Sequence, residues 1–225
     1  MIDIKDIDTN RFIAIVVNSS CELPEASALY THLLRLHKKV SLVCSDKKNK
    51  NRFSFLPWYD KIRDIIPSSA DLTIYIDKND DIYTFFEQNG IKLNQKIATA
   101  LYASLLIKSD GFIGDNIDGI MFARASYLIA AGAKYKICNR FIIKRTTLAI
   151  MKLKSFMFKN IFLTKNATEA TFYLCDEDLK ATGATLEDAK EIIKEALYLE
   201  YLQKVTLIKS DEDNKIVKSI SKDIS

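Results

Sequence analysis

Six consecutive apolar residues, Phe12 to Val17, are rich in β-branched side chains, which predicts a buried strand. From Leu23 to Leu36 the apolar residues recur at helical spacing, with Pro24 in the first turn, where proline is tolerated. Val40–Val43 reads as a second strand and 47–52 as a basic polar loop. Trp58–Ile66 reads as a short helix stopped by Pro67, and Leu72–Ile76 as a third strand ending at Asp77. Three amphipathic helices follow, at 80–88, 95–107 and 117–131, with Gly90, Gly111 and Gly132 as terminators. Strands followed by helices in this order predict an α/β unit with a parallel sheet.

The character changes after Gly132. Residues 133–165 hold nine Lys or Arg and no Asp or Glu. Helical periodicity runs from 145 to about 160, so 133–160 is expected to be a basic connector helix region between domains at 1–132 and 161–225. In the last part, Ala170–Leu174 reads as a strand, and 176–182 and 187–197 as helices, the second N-capped by Thr185. Lys204–Ile208 and Lys215–Ile220 read as a hairpin turned at Asp211 to Asn214. These make a small α+β domain.

Composition narrows the chemistry. The chain has 225 residues with 48% hydrophobic and 28% charged, which is ordinary globular usage. Average usage would place about sixteen glycines in this length; there are 6, with 2 histidines. Neither phosphate-cradling glycine motif occurs. His32 and His37 are five apart, share a helix face poorly, and are expected at the surface or half-buried. A multi-histidine metal site and a nucleophile–histidine triad are both disfavoured. The formal charge of +4 is too small by itself to signal nucleic acid, and the richness in Lys, Ile and Asn fits an AT-rich genome. Cys21, Cys44, Cys138 and Cys175 lack C-x-x-C spacing and read as reduced thiols of a cytoplasmic protein. The N-terminal residues do not resemble a signal peptide, and no apolar run approaches the length of a membrane span.

Three groups are candidates for chemistry. Asp77 ends a strand, and open α/β sheets place their sites there; a turn or capping role is the alternative. Asp110, Asp115, Asn116 and Asp118 lack the alternating ligand pattern of a calcium loop and read as capping and turn residues. The basic stretch, with Arg140, Lys144 and Arg145 at its centre, is either a phosphate-facing surface or a solvated helix face.

Several stretches, in order, resemble the DHH phosphoesterase family, which includes exonucleases, oligoribonucleases of very short RNA and 3'-phosphoadenosine phosphatases. Residues 100–112, A-L-Y-A-S-L-L-I-K-S-D-G-F, are similar to the family's A-L-Y-A-G-I-L-T-D-T-G-G-F. Residues 176–188, D-E-D-L-K-A-T-G-A-T-L-E-D, resemble part of its C-terminal associated domain. Phe55-Leu56-Pro57 and the strand ending at Asp77 are similar to an F-L-P segment and a strand ending in a metal-ligand Asp. The resemblance implies an N-terminal parallel-sheet DHH-like α/β domain, a connector helix and a small C-terminal α+β domain. It also implies two divalent ions, usually manganese, acting on phosphate.

The departures from the family's pattern fall on its chemistry. Its first motif, H-x-x-P-D-x-D, corresponds here to 17–25, V-N-S-S-C-E-L-P-E, where Glu22 and Glu25 are the nearest acids. D-H-H itself is absent, and a segment of several tens of residues after Asp77 is expected to be deleted. The metal-ligand Asp of L-T-D-T-G-G-F falls at Lys108. The glycine-rich G-G-G-H motif is missing, so the C-terminal domain is expected to be truncated. Asp77 alone keeps a ligand position, and no metal or other cofactor is expected. Lys108, Arg140, Lys144 and Arg145 are the candidate phosphate-binding residues. The expected role is an inactive relative acting as a protein-interaction or structural subunit. Its partner would be a paralogous enzyme, a larger assembly or a second copy, with no membrane insertion. Nucleotide or single-stranded nucleic-acid binding, or residual metal-dependent hydrolysis using Asp77, Asp110 and Glu22, are the alternatives.

Overall fold

The computed structural model describes residues 4–46, 50–114, 117–144 and 146–222. The chain divides into two compact units, 1–145 and 146–225. Each has its own core, and the two cores have no residue in common.

The first unit begins with α1 (Ile4–Thr9), β1 (Phe12–Val17), α2 (Leu23–Arg35), β2 (Lys39–Cys44), β3 (Ile62–Arg63) and β4 (Leu72–Ile76). These strands form one parallel sheet in the order β3-β2-β1-β4. All six β1 residues are buried, as a continuous apolar run in the middle of a parallel sheet requires. Asp71 ties the start of β4 to that of β1, its carboxylate accepting from the backbone N–H of Phe12 at 2.8 Å. Helices α3 (Ile82–Gln88), α4 (Gln95–Lys108), α5 (Gly119–Ala130) and α6 (Tyr135–Ile142) complete the unit. Residues 97–106 of α4 are buried without a break. The helix is apolar all round because other elements cover it on every side, α2, α5 and α6 among them. Gly90 and Gly132 end their helices with φ of 60° and 92°, as expected of glycine terminators, whereas α4 ends at Lys108 with Ser109 as its C-cap, and Gly111 (φ 70°) lies within the 3-10 turn that follows.

The second unit contains α7 (Leu148–Lys159), β5 (Phe162–Thr164), β6 (Glu169–Leu174), α8 (Asp176–Thr182), α9 (Leu186–Ala196), β7 (Lys204–Lys209) and β8 (Lys215–Ser221). Its sheet runs β5-β6-β7-β8, with β6 and β7 parallel and the outer pairs antiparallel. Thr185 and Asp188 form a reciprocal capping box at the start of α9. Phe172, Leu174, Ile192, Ile193, Val205 and Leu207 form the core with Leu153 and Met157 of α7.

Some expectations are corrected. Residues 58–66 are not a helix: Trp58 is left-handed (φ 66°), a single 3-10 turn follows, and Ile62–Arg63 pairs with the edge of β2. Pairing with a free strand edge outweighed a weak local helical pattern. The basic stretch at 133–160 is two helices, α6 in the first unit and α7 in the second, not one connector. Cys138 and Ile142 bury one side of α6, and Leu153 and Met157 one side of α7. The edge strand β5 had no periodic signal to reveal it, being three residues long.

Candidate functional site

Val17 pairs with Cys44 on one side and Ile76 on the other, so β1, β2 and β4 end at one level. This carboxyl edge carries Ser19, Asp46 and Asp77 in the turns that follow, and Glu22 and Glu25 at the entry to α2. Ligands bind at this edge in open α/β sheets.

Most of these acids are committed to the backbone. Glu22 accepts from the N–H groups of Asn18 at 3.2 Å and Ser19 at 3.1 Å, as half of a capping box with Ser19. Asp46 accepts from Ser20 N–H at 3.1 Å. Asp77 is exposed and accepts from Asn79 N–H at 2.7 Å, while its own N–H donates to Asp80. Asp77 is therefore a turn residue, the alternative allowed for it by the sequence. Asp110 sits in a tight left-handed turn (φ 46°) and Asp118 caps α5, while Asp115 and Asn116 lie outside the described residues.

The remaining acid, Glu25, meets Lys108. The Lys108 ammonium donates to Glu25 Oε1 at 2.7 Å and also to the Asp80 carbonyl oxygen. The Glu25 side chain is 5% exposed and that of Lys108 34%. Burial raises the Glu25 pKa above the usual carboxylate value, partly opposed by the hydrogen bond and charge of Lys108 and by a hydrogen bond with Ser104. A second pair lies alongside: Arg124 of α5 meets Asp81 at 2.9 Å and stacks over Tyr83. Although Asp81 is partly desolvated, its hydrogen bonds from Thr84 and Arg124 hold its carboxyl below the ordinary range. Glu25, Lys108 and Ser104 line two small hollows, one of about 300 Å³ reaching Ser19 and Glu22, the other of about 130 Å³ reaching Asp81 and Arg124.

The family's two metal ions do not fit this donor set. Among the described residues, no three His, Cys, Asp or Glu side chains are grouped to hold an ion. At the position corresponding to the family's ligand Asp, a lysine ammonium neutralises the nearest buried carboxylate instead. The structure also separates the candidate phosphate-binding residues. Lys108 is committed to Glu25, Arg140 and Lys144 are exposed on and just after α6 and line neither hollow, and Arg145 lies outside the described residues. Sequence reasoning missed the Asp81–Arg124 pair. The signal was present: Arg124 is the single charged residue of an otherwise apolar helix, and a desolvated charge needs a partner.

His32 corrects a further expectation. It is buried in α2, its ring 5.3 Å from that of Phe86, and its Nδ1 has no hydrogen-bond partner among the described residues. Burial lowers its pKa below 6.5, with a smaller push from Arg35. The folded state therefore favours neutral His32, and the unfolded state takes up more protons as the pH falls below about 6.5. Stability should drop across that window. The drop should be smaller in His32→Leu, as urea titrations at pH 7 and pH 5 would measure; equal drops would remove His32 as the cause.

No protein-family model matches the chain. The sequence is 25% identical over 146 residues to the Bifunctional oligoribonuclease and PAP phosphatase NrnA of Bacillus subtilis (strain 168). That match takes in 64% of this chain and 43% of the relative, so the chain spans less than half of that protein's length. In three dimensions the chain is similar to the crystal structure of an exopolyphosphatase-related protein from Bacteroides fragilis. The TM-score is 0.72 at 11% identity, covering 93% of this chain and 79% of the other. Among the described residues, no helix is long and apolar enough to cross a membrane. With a four-stranded parallel sheet in the first unit and a four-stranded mixed sheet in the second, this chain has the α/β fold of that exopolyphosphatase-related protein.

Proposed function

We propose that this chain is a catalytically inactive DHH-like relative that works as a protein-interaction or structural subunit. The observation that carries this reading is the Lys108–Glu25 pair at 2.7 Å. Two-metal hydrolysis needs several anionic or imidazole ligands converging on the phosphate, to activate water and to clamp the leaving oxygen. Here a fixed ammonium sits at a position corresponding to a ligand, and the acids around it serve caps and turns. The arrangement supports the fold and lacks an evident nucleophile.

The test is hydrolysis by the purified chain at high concentration, with manganese and either a dinucleotide or 3'-phosphoadenosine 5'-phosphate. Turnover should not rise above the protein-free rate. Manganese-dependent turnover that disappears in Asp77→Ala would overturn the proposal in favour of residual phosphodiesterase activity.

One observation favours a second reading. Lys134, Lys136, Arg140 and Lys144 are all exposed along α6 and its ends, in a stretch without acids. That face could hold a nucleotide or a single strand through its phosphates. Such binding would weaken steeply with salt, since each neutralised phosphate releases counterions. Absence of binding to short oligonucleotides at low salt would dismiss it.

A further inference from the structure

Helix α5 is built inside out relative to a surface helix. Its one charged residue, Arg124, turns inward to Asp81, and only Ala125 and Leu128 are buried. The outward residues are Ile120, Phe122, Ala123, Ser126, Tyr127, Ile129 and Ala130, all exposed and none charged. Ile120 is 63% exposed, Phe122 55% and Tyr127 56%. At 100° per residue, Ala123, Ser126 and Ala130 form the crest, with Ile120 and Tyr127 on one flank and Phe122 and Ile129 on the other. Phe112 extends the second flank: its ring stacks on Phe122 at 5.3 Å with the planes 20° apart. Phe112 holds this place at φ 67°, a conformation that is costly for a bulky side chain.

We propose that this face joins two copies of the chain, so that the structural subunit inferred above is a homodimer. The proposal rests on that reading and names its partner. A two-fold contact must be self-complementary. An uncharged face with a low crest between two bulky flanks meets that condition, because the crests approach closely and the flanks close over them. An antiparallel pairing also opposes the helix dipoles. Centred on Ser126, it directs the exposed Asp118 of one copy towards the end of α5 that is followed by the exposed Lys134 of the other. That charge complementarity suits a second copy.

The area is adequate for a weak dimer. A large side chain about half exposed offers roughly 100 Å², so the four on α5 provide about 400 Å² per copy before the small crest residues are counted, compared with about 800 Å² in a standard interface. This matches the largest contiguous apolar patch of a typical monomer, about 300–600 Å², which is often a functional surface. The expected dissociation constant is on the order of micromolar.

Sedimentation velocity on the full chain, from about 1 to about 200 μM, should show a monomer passing into a dimer across that range. Ala123→Glu places like charges against each other at the crest and should raise the dissociation constant by about a hundredfold or more. Ile65→Glu, at an exposed apolar site outside α5, should leave it unchanged. Ser126→Cys, made in a Cys21→Ser background to remove the exposed native thiol, should form a disulfide-linked dimer on oxidation, which guards against misfolding of the Glu variant. A monomer at every concentration overturns the proposal, as does a dimer that Ala123→Glu leaves intact. Metal-dependent hydrolysis by the same preparation would instead overturn the inactive-subunit reading and leave the dimer standing.

Discussion

Lys108→Met is expected to destabilise the first unit by about 3 kcal/mol, because it strands a buried carboxylate. The figure sits at the low end of the usual cost of breaking a buried pair, since Lys108 itself is 34% exposed. Glu25 would lose its charge partner and keep its desolvation. Replacing both residues with apolar ones, Glu25→Leu with Lys108→Met, should recover most of that loss and can even exceed the native stability. The pH dependence gives an independent check. Glu25 already has a raised pKa in the folded state, and losing the ammonium removes two of the influences that lower it. A carboxyl whose folded pKa lies above its unfolded value favours folding as it takes up its proton. The cost of Lys108→Met should therefore be largest at neutral pH and shrink as the pH falls towards 4.5, the ordinary glutamate value. Trp58, the only tryptophan, lies in the first unit and donates to Thr31 of α2 at 3.1 Å, so its fluorescence in urea reports that unit. A pH-independent cost, or none, would mean that the pair contributes little.

The second large effect is expected from Phe172→Ala. Phe172 is 1% exposed in the core of the second unit and meets Phe158 edge-on, with ring centroids 5.7 Å apart. Emptying such a site costs about 3–5 kcal/mol. A unit of this size has a total stability of only about 4–12 kcal/mol. Because the two cores have no residue in common, the loss should stay in the second unit. Hydrogen exchange should show protection falling across 146–222 and persisting across β1, α2 and α4, with the Trp58 transition in urea unmoved. A single shared transition would show instead that the units unfold together.

The legibility of the fold followed the strength of local signals. β1, α2, β4, α4, α9 and the β7–β8 hairpin were readable because each has a clear period or apolar run, most of them with a chemical stop or start as well: Pro24 in α2, Asp77 after β4, Thr185 before α9, or the acidic turn before β8. The failures share a cause. The segment at 58–66 and the short strand β5 are decided by a neighbouring strand edge, which no local pattern records. The basic stretch shows even charge along its length, so its division between two units was hidden until the buried sides of α6 and α7 were seen.

At the site, sequence alone determined which residue types were available: an acid-poor turn after β1, a lysine at a ligand position, a single Asp at the end of β4, and two neighbouring histidines. Those are matters of composition and order. Only the tertiary structure decided that Lys108 reaches Glu25 across 83 positions in the chain. It also decided that Glu22, Asp46 and Asp77 serve backbone N–H groups, that His32 is buried, and that Arg124 turns inward and leaves an apolar face outward. The physical reason is common to all of them. A charge removed from water must find its counter-charge or donor wherever packing brings one, and packing joins α2 to α4 and α5 to the start of α3 across long stretches of chain. The apolar pattern shows which faces seek cover. The folded arrangement shows which of them found it, and on α5 the outer face did not.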